Sequence, residues 1–85
     1  MMTFEVAVKD PMGLHARPAG CLVKEAARFK SRIVLEANGK SVEATRLLAL
    51  MGLRIKSGET VRVSVEGADE AVCAEAMKAF FAANV

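Results

Sequence analysis

Phe4, Val6 and Val8 alternate with Glu5, Ala7 and Lys9, a period of two that predicts a half-buried strand over 4–9. Asp10-Pro11-Met12-Gly13 is turn chemistry. Beyond it the period changes: Ala19, Leu22, Val23, Ala26 and Phe29 recur near 3.6 residues, predicting a helix with one buried stripe that runs to about Phe29 or Lys30. Alternation returns over 32–37, with Ile33, Leu35 and Ala37 on one face. Asn38-Gly39 follows, a pair in which both residues tolerate positive φ, so residues 40–44 read as the returning arm of a hairpin.

Thr45 is a candidate N-cap for a short helix from Arg46 to about Gly52. Its middle, Leu47-Leu48-Ala49-Leu50-Met51, is apolar almost all round, and a helix this short cannot bury every face on one sheet. Either it is sandwiched, or Leu47, Leu48 and Met51 form an exposed patch of the kind that binds a partner. After the turn Lys56-Ser57-Gly58-Glu59, residues 60–66 alternate most cleanly, with Val61, Val63 and Val65 inward. Gly67-Ala68-Asp69 ends that strand and caps a last helix, with Asp69 and Glu70 at its positive end. Val72, Ala76, Ala79, Phe80 and Ala83 give the predicted stripe of that helix.

The order is therefore β-α-β-β-α-β-α in one domain, residues 1–85. Strands with one apolar face each point to the α+β class: an open-faced two-layer sandwich, helices on one side of an antiparallel sheet. Strand order does not follow from the pattern.

Composition narrows the function. A 53% hydrophobic content suits a packed domain, and a net charge of +2 without runs of like charge gives no footprint for nucleic acid. No apolar run approaches a membrane span, and Met-Met-Thr-Phe-Glu lacks the features of a signal peptide. A cytoplasmic, monomeric protein without membrane insertion is expected. Cys21 and Cys73 are expected as reduced, partly buried thiols. One histidine and no Cys-x-x-Cys leave no metal set. Asn38-Gly39-Lys40-Ser41 imitates the end of a phosphate loop, but that motif's first glycine would fall at Val34 and no strand–loop–helix frame surrounds it.

The stretch with chemistry in it is Gly13-Leu14-His15-Ala16-Arg17-Pro18-Ala19, which holds the only histidine. Pro18 suits a first helical turn, so His15 lies just ahead of a helix N-terminus, where free N–H groups and the dipole favour an anion. Arg17 adds a planar set of donors that fits phosphate oxygens. Histidine can offer a neutral, nucleophilic nitrogen near pH 7. These residues suit an imidazole that carries a phosphoryl group. A single histidine without a second general acid or a metal makes a poor catalytic centre of its own, so an enzyme is not expected.

That stretch resembles the phosphohistidine signature of HPr, the small phosphocarrier of the bacterial sugar phosphotransferase system. The likeness continues through Val23-Lys24-Glu25-Ala26, Phe29, Asn38-Gly39-Lys40-Ser41, Leu47, Leu53, Gly58, Glu66-Gly67 and Asp69-Glu70. The resemblance implies sheet order 1-4-2-3 under three helices. It implies that His15, through Nδ1, takes a phosphoryl group from phosphorylated enzyme I and gives it to enzyme IIA domains. Ala16 and Arg17 would supply backbone N–H groups to the anion, and no cofactor is needed. It also favours an exposed second helix, with Leu47, Leu48 and Met51 at the centre of a docking surface and Arg17, Lys24, Arg46 and Lys56 on its rim. An HPr-like regulator that binds a transcription factor or enzyme without carrying flux is the alternative. Many relatives of this kind carry a regulatory serine at the position of Arg46, which has no hydroxyl to phosphorylate; Thr45 lies one residue away. A glycine often ends the second helix at what is Arg54 here, while Gly52 lies two residues earlier, so the helix either ends sooner or bends Arg54 into a left-handed conformation.

Overall fold

Four strands pair antiparallel in a single sheet, in the order first, fourth, second, third. The computed structural model describes residues 1–85, with β1 Met2–Ala7, α1 Ala16–Ala26, β2 Arg32–Ala37, β3 Lys40–Glu43, α2 Leu47–Gly52, β4 Thr60–Glu66 and α3 Glu70–Asn84. Alternation sets the register. One cross-strand row reads Phe4, Val63, Leu35, Val42, and the next reads Glu5, Arg62, Glu36, Ser41. The first row faces the helices. The second faces water, where Arg62 lies 3.8 Å from Glu36. A slip of one residue would exchange the two rows, so burial of one face fixes the pairing.

The central strands β2 and β4 supply Ile33, Leu35, Val61, Val63 and Val65 to the core. α1 covers them with Ala19, Leu22 and Ala26, and α3 with Cys73, Ala74, Met77 and Phe81. No polar or charged side chain is buried, so the core has no polar group in need of an internal partner.

Several boundaries differ from the sequence reading. β1 covers residues 2–7 rather than 4–9. Val8 is buried but leaves the ladder, bonding through its N–H to Glu59 O and through its carbonyl to Gly58 N–H, just ahead of β4. α1 stops at Ala26, and residues 27–29 tighten into a turn through Arg28 N–H to Glu25 O and Phe29 N–H to Ala26 O. β3 ends at Glu43, although Ala44 still donates to Ile33 O. The residue ahead of α2 is Arg46, not Thr45, and no side chain caps this helix. α2 ends at Gly52, and Arg54 takes φ +53, so the helix both ends at the glycine and is followed by a left-handed arginine. Asn38 (φ +54) and Gly39 (φ +77) form the expected hairpin turn, and Asn38 Nδ2 also donates to Leu53 O at 2.9 Å.

The stripe of α3 is the largest correction. Val72, Ala79 and Ala83 face solvent, Val72 at 67% exposure, while Ala76 and Phe80 are half-buried. Val72 lies three residues before Glu75 and Ala79 four after it, so all three share the charged face. The cysteines also differ from expectation: Cys21 is exposed and Cys73 is fully buried, both as free thiols.

Asp69 precedes α3 but makes no side-chain cap. Its carboxylate instead accepts from Ser31 Oγ (2.5 Å) and Lys30 N–H (2.9 Å), tying the end of the α1–β2 turn to the start of α3. The Ser31 hydroxyl first, and the Lys30 N–H after it, hold this carboxyl below its usual range. A depressed carboxyl contributes stability that is fully present above its unfolded value, about pH 4, and is lost as pH falls through the folded value. Thermal unfolding followed from pH 7 to pH 2 should therefore fall below about pH 4. Asp69→Asn should remove part of that slope, Glu70, also held low, retaining its own. An unchanged slope in the variant would show that the tether contributes nothing.

Candidate functional site

The site begins with a glycine that only glycine fits. Gly13 has φ +70, and a Cβ there would press into the Ile55 carbonyl oxygen and stand 2.9 Å from Lys56 Cα. The close approach lets Leu14 N–H reach Ile55 O at 3.0 Å, while Gly13 N–H closes the preceding turn on Asp10 O at 2.8 Å. Leu14 is buried. His15 follows directly from this pinned pair, extended at φ −89 and ψ −174, as the residue before the first turn of α1.

The start of α1 is open for an anion. The first helical bond is Ala19 N–H to His15 O at 3.0 Å. Pro18 has no N–H, and the N–H groups of Ala16 and Arg17 make no hydrogen bond within the chain. The first turn contains no acidic residue. Two donors and the positive end of the dipole therefore meet at one point.

His15, Arg17 and Pro18 line a shallow depression of about 190 Å³ together with Asp10, Cys21 and Asn84. The His15 side chain is 31% exposed, and its Nε2 stands 3.8 Å from Asp10 Oδ2. Sequence reasoning took Asp10 only as a turn residue; its position five residues before the histidine, across a turn, was the available signal. Asn84 reaches the depression from the far end of α3, and its Nδ2 donates to Phe80 O. Cys73, by contrast, lies in the core, where burial pushes its thiol up, so it takes no part.

The predicted docking residues are exposed: Leu48 at 84%, Leu47 at 39% and Met51 at 40%. Only Leu50 of α2 is buried. The structure thus decides between the two readings of this helix in favour of an apolar surface. Lys24 lies exposed in the last turn of α1. Lys56 is exposed beside Gly13, its N–H bonded to Glu59 Oε1. Arg46 is exposed but lines a separate depression with Arg32, Glu43 and Ala49, apart from His15.

Together, fold and site define a class: small open-faced α+β sandwiches that present one accessible histidine and one arginine at the start of a helix. Comparison with known proteins narrows it. A family model described as "PTS HPr component phosphorylation site" matches residues 2–83, and the chain belongs to this PTS HPr family. It is 46% identical over 80 residues to the HPr-like protein Crh of Halalkalibacterium halodurans, covering 94% of this chain and 95% of that one. It is 38% identical over 85 residues to the phosphocarrier protein HPr of Mycoplasma genitalium, covering 99% and 97%. The crystal structure of the phosphocarrier protein HPr from Bacillus anthracis superposes with a TM-score of 0.87 at 37% identity, covering 93% and 94%. No helix is long and apolar enough to cross a membrane.

Proposed function

We propose that this chain carries a phosphoryl group on His15 between enzyme I and enzyme IIA domains of a sugar phosphotransferase system. The observation that supports the reading most is the pairing of an accessible His15 with the free N–H groups of Ala16 and Arg17 at the start of α1. The lone pair of Nδ1 attacks phosphorus, and the bond to the donor breaks with its electron pair left on the donor atom. The phosphoryl oxygens then rest against the two N–H groups and the Arg17 guanidinium. A helix end contributes on the order of 0.3–1 kcal/mol per charge at an exposed site. That is weak enough for the group to leave again when enzyme IIA presents its own nucleophile. Transfer of this kind is positioning and electrostatics, so the carrier needs no metal or cofactor and turns over no substrate alone. It works as a monomer in the cytoplasm.

Incubation with phosphoenolpyruvate, magnesium and a bacterial enzyme I should add one acid-labile phosphate, mapped to His15 by intact mass and fragmentation. Absence of the adduct with a cognate enzyme I and a folded carrier would overturn the reading.

The exposed face of α2 is the docking surface, with Leu48 at its centre and Arg17, Lys24 and Lys56 toward its rim; Arg46 sits at its outer edge. Leu48→Glu should raise KM for enzyme I about tenfold, the loss of roughly one buried apolar contact. Its effect on stability should stay within about 0.5 kcal/mol, because the side chain is exposed. An unchanged KM in steady-state transfer assays would remove α2 from the interface.

A second reading, a binding regulator that carries no flux, is favoured by the 46% identity to a protein named HPr-like protein Crh. His15 stands against it, since a pure regulator has no use for the nucleophile, and Arg46 offers no hydroxyl for an ATP-dependent serine kinase.

A further inference from the structure

We infer that Asp10 is a positioning residue of the carrier, holding the His15 ring so that Nδ1 keeps its lone pair for phosphorus. The inference rests on the reading of His15 as the phosphoryl acceptor and adds the group that selects its reactive nitrogen.

Asp10 is fixed on every side but one. Its N–H donates to Val85 O at 2.6 Å, and its own carbonyl accepts from Gly13 N–H at 2.8 Å. One carboxylate oxygen, Oδ1, accepts from Met12 N–H at 2.8 Å across the turn. The other, Oδ2, is left facing His15 Nε2 at 3.8 Å, within ion-pair reach and longer than a hydrogen bond. A neutral imidazole has one N–H and one lone pair, and the partner of one nitrogen decides which is which. A carboxylate beside Nε2 accepts only, so it favours the proton on Nε2 and leaves Nδ1 bare. Nδ1 is the ring nitrogen nearer the His15 backbone.

The same placement serves the transfer itself. When the Nδ1 lone pair forms the bond to phosphorus, the donor's bond breaks and its electron pair stays on the donor. The ring keeps its Nε2 proton and becomes cationic. No proton has to leave, and the new positive charge develops next to Oδ2. When the group moves on, the N–P electron pair returns to Nδ1 and the ring is neutral again with the same tautomer.

Asparagine at position 10 gives a sharp test because the Met12 N–H still demands an oxygen. The side-chain amide oxygen would keep that bond, and the NH₂ group would turn toward Nε2. A donor there favours the lone pair on Nε2 and the proton on Nδ1, the unproductive tautomer. Asp10→Asn should slow acceptance of phosphate from enzyme I about tenfold, a smaller version of the penalty a wrong tautomer imposes on a fully buried histidine. Asp10→Ala removes the preference without reversing it and should cost only about two- to threefold. Nitrogen-15 chemical shifts of the His15 ring, measured with the full-length protein in its neutral form, should report the Nε2–H tautomer in the native chain. They should show a mixture in Asp10→Ala and a shift toward Nδ1–H in Asp10→Asn. A purely structural role for Asp10 would spare Asp10→Asn, which keeps the turn, and would penalise Asp10→Ala more. That order of rates, or an unchanged tautomer in Asp10→Asn, overturns the inference even where the native protein takes phosphate on His15. A native protein that shows the Nε2–H tautomer but never accepts phosphate instead overturns the carrier reading and leaves the positioning by Asp10 standing.

Discussion

Replacing His15 by alanine should leave a folded protein that accepts no phosphoryl group at all. The loss is complete because the chain has no other imidazole. Of the depression's other side chains that could act as nucleophiles, the exposed Cys21 thiol lies four residues beyond Arg17, past the first turn of α1, and the Asp10 carboxylate is held by the Met12 N–H within its own turn. The fold survives because the His15 side chain caps nothing and lies outside the core. Its removal should cost less than about 1 kcal/mol. Intact mass after incubation with phosphoenolpyruvate and enzyme I, alongside thermal unfolding by circular dichroism, separates the two effects. An adduct on the variant would place the chemistry elsewhere.

The second large effect falls on the residue that places the histidine. Gly13→Ala should lower stability by about 3 kcal/mol, from a left-handed alanine and a Cβ forced against backbone. For a domain of this size that corresponds to a fall in Tm of roughly 15 °C. The carbonyl that would be pushed aside is Ile55 O, the acceptor for Leu14 N–H. The damage is therefore local to the His15 corner, and phosphate acceptance should fall along with Tm even at temperatures where the variant is folded. A Tm within about 3 °C of the parent would show that the loop yields more easily than its geometry implies.

What could be read from the chain alone follows the range of each interaction. Strands were visible because alternation is local and the valines of β4 leave one choice of face. The hairpin was visible because Asn38-Gly39 meets a backbone demand directly. His15 and Arg17 were visible because a proline, an arginine and a helical stripe stand side by side. The α3 stripe was misplaced because alanines occupy every face of that helix; Met77, Phe81 and Cys73 set its phase, while Val72 shares a face with Glu75. The Asp69 tether to Ser31 joins residues 38 apart, and no periodicity announces it. Asp10 was hidden for a related reason: its sequence says turn, and only the folded turn brings its carboxylate back to the imidazole. The exposure of α2 could be posed from sequence as two alternatives, and it took the folded chain, with Leu50 in the core and Leu48 in water, to choose between them.

The central claim is that the phosphate on His15 is in transit. The most direct measurement is a chase: the protein is phosphorylated, separated from enzyme I, and mixed with an enzyme IIA domain while the mass of both is followed. The account predicts that this chain loses one phosphate as the IIA domain gains one, within the time of normal turnover and far faster than spontaneous hydrolysis. A phosphorylated protein that keeps its phosphate, with cognate IIA domains present and active, would contradict it and would mark the chain as a regulator built on a carrier's scaffold.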